Sequence, residues 1–485
     1  MKWVFHYKFD QDGYLIKCKA RICVRGDLQD DPLDSTYAAT LAAKSFRALM
    51  AICAKYDLEC KQFDVVNAFL NASVNKKDGE IYCNLPDGFK DLGFSTEGIG
   101  QPVAELDKAL YSLKDSPMLW YNEFSSALEA LGLAKSSEEP CVFINNHCLV
   151  LFYVDDILLL YRKSDESHAR ELVNALKSKY ELHEEGDVRW FLGIRVLRDR
   201  SRRKLWLCQD AYIEKIAAKF DLLKGTPRFP TIPIPTTKFK RNEGQADKQS
   251  VRLYQEKVGS ILYAAMTVRP DVARAAAQLS RFLTNPSKEH HDAADQTILY
   301  LYSTRFLAIE YGGTYNEALV IASDASFADD EETRRSSQGY IISLYGGPIA
   351  WKSGLQDTVT TSTTEAELLA VERTTKESYS LERFFKDISL DLGMLKIYCD
   401  NQQTIRLVAR ENERIITRLR HVDIQNMWLK QEFKKGRFEL SYLPTAEMPA
   451  DGLTKALSRQ QFQHFRSMLN LQDVMDLVQG SEKSE

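Results

Sequence analysis

One stretch, residues 149–161, constrains the fold of this chain more than any other. It reads Leu-Val-Leu-Phe-Tyr-Val-Asp-Asp-Ile-Leu-Leu-Leu-Tyr, two apolar runs of strand length around a single acidic pair, Asp155 and Asp156. A continuous apolar run is the pattern of a buried strand, and a short polar break between two such runs predicts a hairpin, although Asp-Asp is a weaker turn former than Asp-Gly. Two carboxylates about 4 Å apart repel by roughly 4 kcal/mol at an effective dielectric near 20, a cost that a solvated turn lowers and a divalent cation reverses. For the pair taken alone, a solvated surface turn is the alternative.

The surrounding chain bounds the answer. At 485 residues it is too long for one core and implies two to four domains. Hydrophobic content of 44% and charged content of 27% place it in the globular class. Asp155 and Asp156 interrupt the best candidate for a membrane span, and the N-terminus, Met1-Lys-Trp-Val-Phe-His-Tyr-Lys8, lacks the apolar core of a secretory signal. An intracellular protein without a membrane partner is the expectation. The nine cysteines include no C-x-x-C pair and no Cys/His cluster at metal spacing, so reduced structural thiols are expected, with neither a disulfide framework nor a zinc site. A net charge of −4 argues against a broad phosphate-binding surface, so a nucleic-acid partner would require a local basic patch.

Along the chain, residues 3–24 alternate around an Asp10-Gln-Asp-Gly13 turn and predict a hairpin that carries Lys19 and Arg21. Residues 38–55, Ala-rich and free of Pro and Gly, predict a packed helix, and residues 60–66 a strand with Asp64 at its end. Residues 109–131 read as helical with an interruption at Pro117, their aromatics Tyr111, Trp120, Tyr121 and Phe124 packing a core. Asp165 is positioned to cap a helix running to about Tyr180. Residues 190–207 read as a second apolar hairpin, whose turn, Arg198-Asp-Arg-Ser-Arg-Arg-Lys204, is the densest basic run and reads equally as a solvated loop or a phosphate contact. Four prolines open a linker at 226–250, helices follow over 251–316, and an α/β pattern occupies 317–457 before a polar, partly helical tail at 458–485.

The acids fall into two sets. Asp64 ends one apolar strand and Asp155 with Asp156 sits at the turn of another, so neighbouring strands would bring three carboxylates to one sheet edge. Asp324, Glu367, Asp400 and Asp451 stand at element ends in the second half. Converging carboxylates without His or Cys suit a hard cation such as Mg²⁺, and two such ions can clamp an in-line phosphoryl transfer. Any single acid of this kind is more commonly a cap or turn residue.

Taken together, these residues resemble a known family. Tyr153-Val-Asp-Asp156, Asp64-Val-Val-Asn-Ala-Phe69-Leu-Asn, Lys108-Ala-Leu-Tyr-Ser-Leu-Lys114 and Phe191-Leu-Gly193-Ile are similar to the reverse transcriptase of copia-type LTR retrotransposons. Ser323-Asp-Ala325, Arg334-Arg-Ser-Ser-Gln-Gly-Tyr340, Ser362-Thr-Thr-Glu-Ala-Glu367, Asp400-Asn401, Arg420-His-Val-Asp423-Ile and Ala450-Asp-Gly-Leu-Thr-Lys455 are similar to the ribonuclease H of the same elements. Leu205-Trp-Leu-Cys-Gln209 and Ala211-Tyr-Ile213 look most like fungal members.

The resemblance implies a mixed α/β and α+β architecture: a right-hand polymerase of fingers, palm and thumb over 1–225, then the linker, a helical connection and a ribonuclease H-like α/β domain. It implies that Asp64, Asp155 and Asp156 hold two Mg²⁺ ions, with Mn²⁺ as a substitute, and that Asp324, Glu367, Asp400 and Asp451 hold a second pair, with Glu365 the alternative for the glutamate. Tyr153 would lie under the primer end, Phe69 beneath the incoming sugar, and Phe191, Leu192 and Gly193 beside the primer strand. Lys19 and Arg21 would hold the triphosphate, a solvated hairpin being their ordinary alternative, and His421 would be structural. The implied partners are an RNA template, a DNA primer, an RNA–DNA hybrid, deoxynucleoside triphosphates and other element-encoded proteins, in a cytoplasmic particle or the nucleus.

The sequence departs from the family at Asp115 and Met118, where Gln and Arg are usual, and at Asn71-Ala72, where Asn-Gly is usual. The first two changes add a negative charge and remove a positive one near the expected substrate path. The chain also begins inside the first family motif and carries no recognisable capsid, protease or integrase region, as expected of a polyprotein fragment or a decayed copy. A catalytically inactive remnant that at most binds nucleic acid is the alternative function, and an unrelated metal phosphohydrolase a third.

Overall fold

The computed structural model describes residues 1–9, 15–29, 38–74, 80–86, 88–89, 103–409 and 420–482, with backbone alone for 8–9, 420–423 and 481–482. The expected turn at residues 10–13 and the side chain of His421 lie outside what is described. The chain forms two compact units, Met1–Leu41 with Glu59–Val188, and Ala42–Leu58 with Arg189–Glu485. The division does not follow the expected boundary at 225.

In the first unit a six-stranded antiparallel sheet runs in the order Leu182–Asp187, Glu59–Val65, Asp156–Tyr161, Cys148–Tyr153, Val142–Ile144, Ala134–Lys135. Alternate residues Phe63, Val65, Ile157 and Leu159 pack against Trp120, Phe124, Leu128, Leu172 and Leu176 of the helices Ser116–Ala130 and Glu166–Lys179. Each such side chain contributes about 1.5–3 kcal/mol of apolar burial. Pro117 begins the first of these helices rather than interrupting it, because at the first turn its missing N–H costs no hydrogen bond. The strands Lys2–Phe9 and Leu15–Cys23 form a separate antiparallel ribbon.

The second unit holds two sheets. One is antiparallel, Trp190–Phe191, Ile194–Asp199, Lys204–Cys208, Leu307–Gly312 and Leu471–Asp473. The other is mixed, in the order Gly347–Leu355, Ser337–Leu344, Leu319–Ser326, Leu395–Cys399, Phe438–Tyr442. Its first three strands are antiparallel and its last two run parallel to Leu319–Ser326. Parallel neighbours need long crossovers, which the helices Thr363–Asp387 and Arg420–Lys434 supply. The region expected to be wholly helical ends in the strand Leu307–Gly312, and the expected polar tail folds in: Phe462, Phe465, Leu469, Val474 and Val478 are buried.

The Ala-rich helix, Ala43–Tyr56, belongs to this unit and is buried continuously from Ser45 to Ala54, as a helix with little polar surface must be. Its one buried cation, Arg47, donates to the carbonyls of Ile349 (2.7 Å), Met266 (2.7 Å) and Thr267 (2.6 Å), its guanidinium 4.0 Å from the centre of the Trp351 ring. The basic turn is occupied at the C-terminus of the same helix. Arg198 donates to the carbonyls of Leu58 and Cys53, and Arg198 and Arg200 both pair with Asp57. Cations complement the carbonyl end of a helix, so this turn reads as a cap rather than a phosphate patch. Among the described residues no helix is long and apolar enough to cross a membrane, and the nine cysteines are free thiols.

Candidate active sites

Strand pairing assembles the first acidic set. Asp64 lies directly opposite Asp156, and Asp156 opposite Tyr153 across the hairpin. The turn is Val154-Asp155, so Asp156 is the first residue of the returning strand rather than a turn residue. Val154 has φ +57°, a conformation normally left to glycine. Two hydrogen bonds hold it there: Trp120 Nε1 donates to the Val154 carbonyl (2.6 Å) and the Val65 N–H to the Asp155 carbonyl (2.9 Å).

Crowding has a measurable electrostatic consequence. Burial, reinforced by Asp155, Asp64 and Glu185, pushes the Asp156 carboxyl up to about 6, against a hydrogen bond from Gln62. Asp155 is raised by burial and by Asp64, and the nearby Arg21 and Lys19 oppose that rise. The hairpin cations are therefore near enough to Asp155 to favour its charged form. Gln62, two residues before Asp64 on the same strand, and Glu185, on the neighbouring strand Leu182–Asp187, are parts of this site that the sequence did not reveal.

Tyr111 is another. Read as a core aromatic, it stands between Phe69, whose ring packs edge-on at 5.2 Å, and Arg21, whose guanidinium is 5.1 Å from the ring centre. Asp155 and Asp64 both add to the rise of its phenol, which is due mainly to burial. The signal was present in Lys108-Ala-Leu-Tyr111, but local pattern does not separate a packed aromatic from one lining a site. The Val24 N–H donates to the Tyr111 carbonyl at 2.9 Å. Gly26 lies so close to the Ser112 carbonyl that an added Cβ would be 2.0 Å from its oxygen, which excludes any other residue from this joint.

Phe191, Leu192 and Gly193 fall in the second unit. Phe191 is fully buried and stacks on Phe46 at 5.0 Å. Leu192 and Gly193, both at positive φ, form the two-residue turn leading to Ile194–Asp199, with the Leu192 carbonyl accepting from the Tyr263 hydroxyl (2.9 Å). These contacts are structural, and the expected primer contact rests on resemblance alone.

The second acidic set is built by the parallel strands of the mixed sheet. Ile321 pairs with Ile397 and Ala322 with Tyr398, and the same register carries Asp324 to Asp400. Glu367 comes from the helix Thr363–Asp387 and accepts from the Ala325 N–H (3.3 Å). Ligand-type atoms of Glu367, Cys399 and Asp400 all lie within 4.8 Å of one another. Burial holds the Cys399 thiol far above its usual range, so it enters the cluster as a neutral group. Lys455 pairs with both Asp324 (3.3 Å) and Asp451, Thr454 donates to Asp324, and Thr445 donates to Asp400 (2.7 Å). Asp451 reaches this place because Gly339 lets Leu453 close on the sheet, where an added Cβ would be 2.7 Å from that of Leu453. Burial and the neighbouring acids raise both Asp324 and Glu367. Glu365 is occupied elsewhere: its carboxylate accepts from the Thr361 N–H (2.6 Å) and hydroxyl (2.9 Å) at the start of the helix.

Residues 1–236 match the family described as reverse transcriptase (RNA-dependent DNA polymerase). Over 97% of its length the chain is 33% identical to the retrovirus-related Pol polyprotein from transposon TNT 1-94 of Nicotiana tabacum, covering 35% of that protein. It is 30% identical to the Pol polyprotein from transposon RE1 of Arabidopsis thaliana, covering 31% of it. A transposon Ty5-1 protein of Saccharomyces cerevisiae is 29% identical over 65% of the chain and 99% of its own length. The chain thus spans about a third of its plant relatives, and these matches do not support the fungal affinity expected from residues 205–213. Among solved structures, an RNase H1 in complex with an RNA/DNA hybrid covers 28% of the chain at 16% identity and a TM-score of 0.23. A foamy viral protease–reverse transcriptase in complex with double-stranded DNA covers 79% at 14% identity and a TM-score of 0.20. Residues 1–236 therefore form a reverse transcriptase domain, and the chain is a homologue of the Pol polyproteins of Ty1/copia-type transposons.

Proposed function

We propose that this chain is an RNA-directed DNA polymerase fused to a ribonuclease H that cleaves the RNA strand of an RNA–DNA hybrid. The observation that carries the polymerase reading is the convergence of Asp64, Asp155 and Asp156 at one sheet edge, opposed by Lys19 and Arg21. Burial and neighbouring acids hold Asp155, Asp156, Asp324 and Glu367 above the usual carboxylate range, which calls for positive charge, and all-carboxylate donors fit a hard divalent ion. Asp64, Asp155 and Asp156 would hold such ions in the polymerase, and Asp324, Glu367, Asp400 and Asp451 in the nuclease. Bound there, Mg²⁺, or Mn²⁺ in its place, would neutralise the charge that develops in phosphoryl transfer.

The remaining work falls to positioned side chains. Arg21 and Lys19 bind the triphosphate of an incoming deoxynucleotide. Phe69, pinned edge-on by Tyr111, closes the space beside the sugar C2′ and excludes a 2′-hydroxyl. Tyr153, paired with Asp156, supports the primer end. In the nuclease, the Asp324–Lys455–Asp451 bridge and the Thr445 hydroxyl on Asp400 set the carboxylate positions around an attacking water. The partners are an RNA template, a DNA primer, the hybrid they form and other element-encoded proteins, in a particle or in the nucleus.

The departures at Asp115 and Met118 motivate the second reading, an inactive remnant. Asp115 is the N-cap residue of the helix Ser116–Ala130, where the helix dipole favours a negative charge, but its side chain makes no cap hydrogen bond to the helix N–H groups. The test is deoxynucleotide incorporation on a primed RNA template with Mg²⁺, alongside cleavage of a labelled RNA–DNA hybrid. Incorporation lost only in Asp155→Asn and cleavage lost only in Asp324→Asn support two separate sites. A folded chain inactive in both assays supports the remnant, and rescue by Asp115→Gln with Met118→Arg would locate the lesion.

A further inference from the structure

We propose that His147, Asp165 and His168 form a binding site for one borderline transition-metal ion of the zinc class, independent of the two acidic sets. Donor atoms of the three side chains all lie within 4.8 Å of one another. His147 Nδ1 is 2.7 Å from Asp165 Oδ1, and the two imidazoles are stacked at 3.7 Å with their planes 3° apart. The strand Cys148–Tyr153 separates this cluster from the acidic pair, six residues at about 3.3 Å each, or about 20 Å.

Both halves of the cluster are held in place. His147 sits in a tight turn closed by Asn145: its side-chain oxygen accepts from the N–H groups of His147 (2.9 Å) and Cys148 (2.7 Å), and its own N–H donates to the Cys148 carbonyl (3.0 Å). Asp165 and His168 are three residues apart at the start of the helix Glu166–Lys179, which puts them on one face. Asp165 occupies the N-cap position yet makes no side-chain cap hydrogen bond. An aspartate there normally accepts from the first helical N–H groups. This one turns instead to His147, and its second oxygen accepts a long hydrogen bond from the Ser164 hydroxyl at 3.4 Å. The neighbouring cations Lys163 and Arg170 are engaged by Glu166, so they leave the cluster open to an ion.

Donor chemistry separates this site from the acidic ones. Two imidazoles and one carboxylate suit Zn²⁺, Ni²⁺ or Cu²⁺, whereas all-carboxylate sets suit Mg²⁺. Tetrahedral zinc needs donors about 3.4 Å apart at metal–donor distances of about 2.0–2.2 Å. The stacked rings do not yet converge on one point, and rotation of the exposed His168 ring closes the set, leaving a fourth position for water. The chain has no Cys/His cluster at metal spacing. These ligands come from a turn and a helix 18 to 21 residues apart, which linear spacing does not reveal.

The test uses the full chain without an oligohistidine tag, stripped with chelator and titrated calorimetrically with Zn²⁺ in excess Mg²⁺. One tight equivalent is expected in the wild type and in Asp156→Asn. His168→Ala should weaken it at least about tenfold, and His147→Ala with His168→Ala should abolish it while circular dichroism shows the fold retained. Bound Co²⁺ in place of Zn²⁺ should show the intense visible bands of four- or five-coordination, lost in the same variants. Stoichiometry and affinity unchanged in the double variant, or no binding to folded wild type, would overturn the proposal.

Discussion

Replacing Asp156 with Asn is expected to stabilise the protein while removing polymerisation. The folded protein holds this carboxyl at about 6 against an ordinary 3.8, mainly through burial and then through Asp155, Asp64 and Glu185. A carboxyl raised by folding favours the folded state only while protonated. Its cost therefore develops as pH rises from 3.8 through 6 and is fully present above 6. At roughly 1.4 kcal/mol per tenfold, the full cost is about 3 kcal/mol at pH 8 and about half that at pH 5. Partial solvent access reduces this, so Asp156→Asn should gain about 1–3 kcal/mol at pH 8, or about 3–10 °C in the midpoint of the transition that unfolds this unit. The assay is thermal unfolding of wild type and variant at pH 8, 5 and 4 in chelator, with primer extension alongside. The gain should halve at pH 5 and fall to about a fifth near pH 4. Millimolar Mg²⁺ should then stabilise the wild type more than the variant. A variant no more stable than wild type at pH 8, or a gain independent of pH, would refute the crowding argument.

Metal binding at the nuclease set should expel the proton that burial and its neighbours hold on Glu367; calorimetry in two buffers of different ionisation heat should register that release in wild type and not in Glu367→Gln. Phe69→Ala should raise ribonucleotide use relative to deoxynucleotide by about tenfold or more, with Tyr111→Ala acting in the same direction but less, in a competition primer-extension assay. Arg47→Met leaves the carbonyls of Ile349, Thr267 and the part-buried Met266 without their donor and should lower the stability of the second unit by about 2–4 kcal/mol in urea unfolding; a loss below about 0.5 kcal/mol would show that those carbonyls find other donors.

Both acidic sets were legible because strand-ending acids are a local signal, and an apolar run that stops at a carboxylate announces an element edge. Which edges meet was not legible. Asp64 faces Asp156 because the strands Glu59–Val65 and Asp156–Tyr161 are neighbours, and Asp324 faces Asp400 because a helix carries the chain back for a parallel pairing. Tyr111 and Glu185 were missed for the same reason: their value lies in what stands across from them. Charge left the basic turn open between a solvated loop and a phosphate contact, and only the fold shows Arg198 and Arg200 paired with Asp57 at the end of a helix.

By itself the sequence determined the elements and the chemistry of their ends: the period-2 strands, the Ala-rich helix, the acid pair between two apolar runs, and the motifs shared with retrotransposon polymerases. Only the tertiary structure decided that the helix Ala43–Tyr56 belongs with residues from Arg189 onward, that the tail is core, and that His147 meets Asp165 and His168. Periodicity and charge are properties of neighbours along the chain. The partner of a buried face is chosen among surfaces far apart in sequence, by how much apolar area and how many hydrogen bonds their contact satisfies.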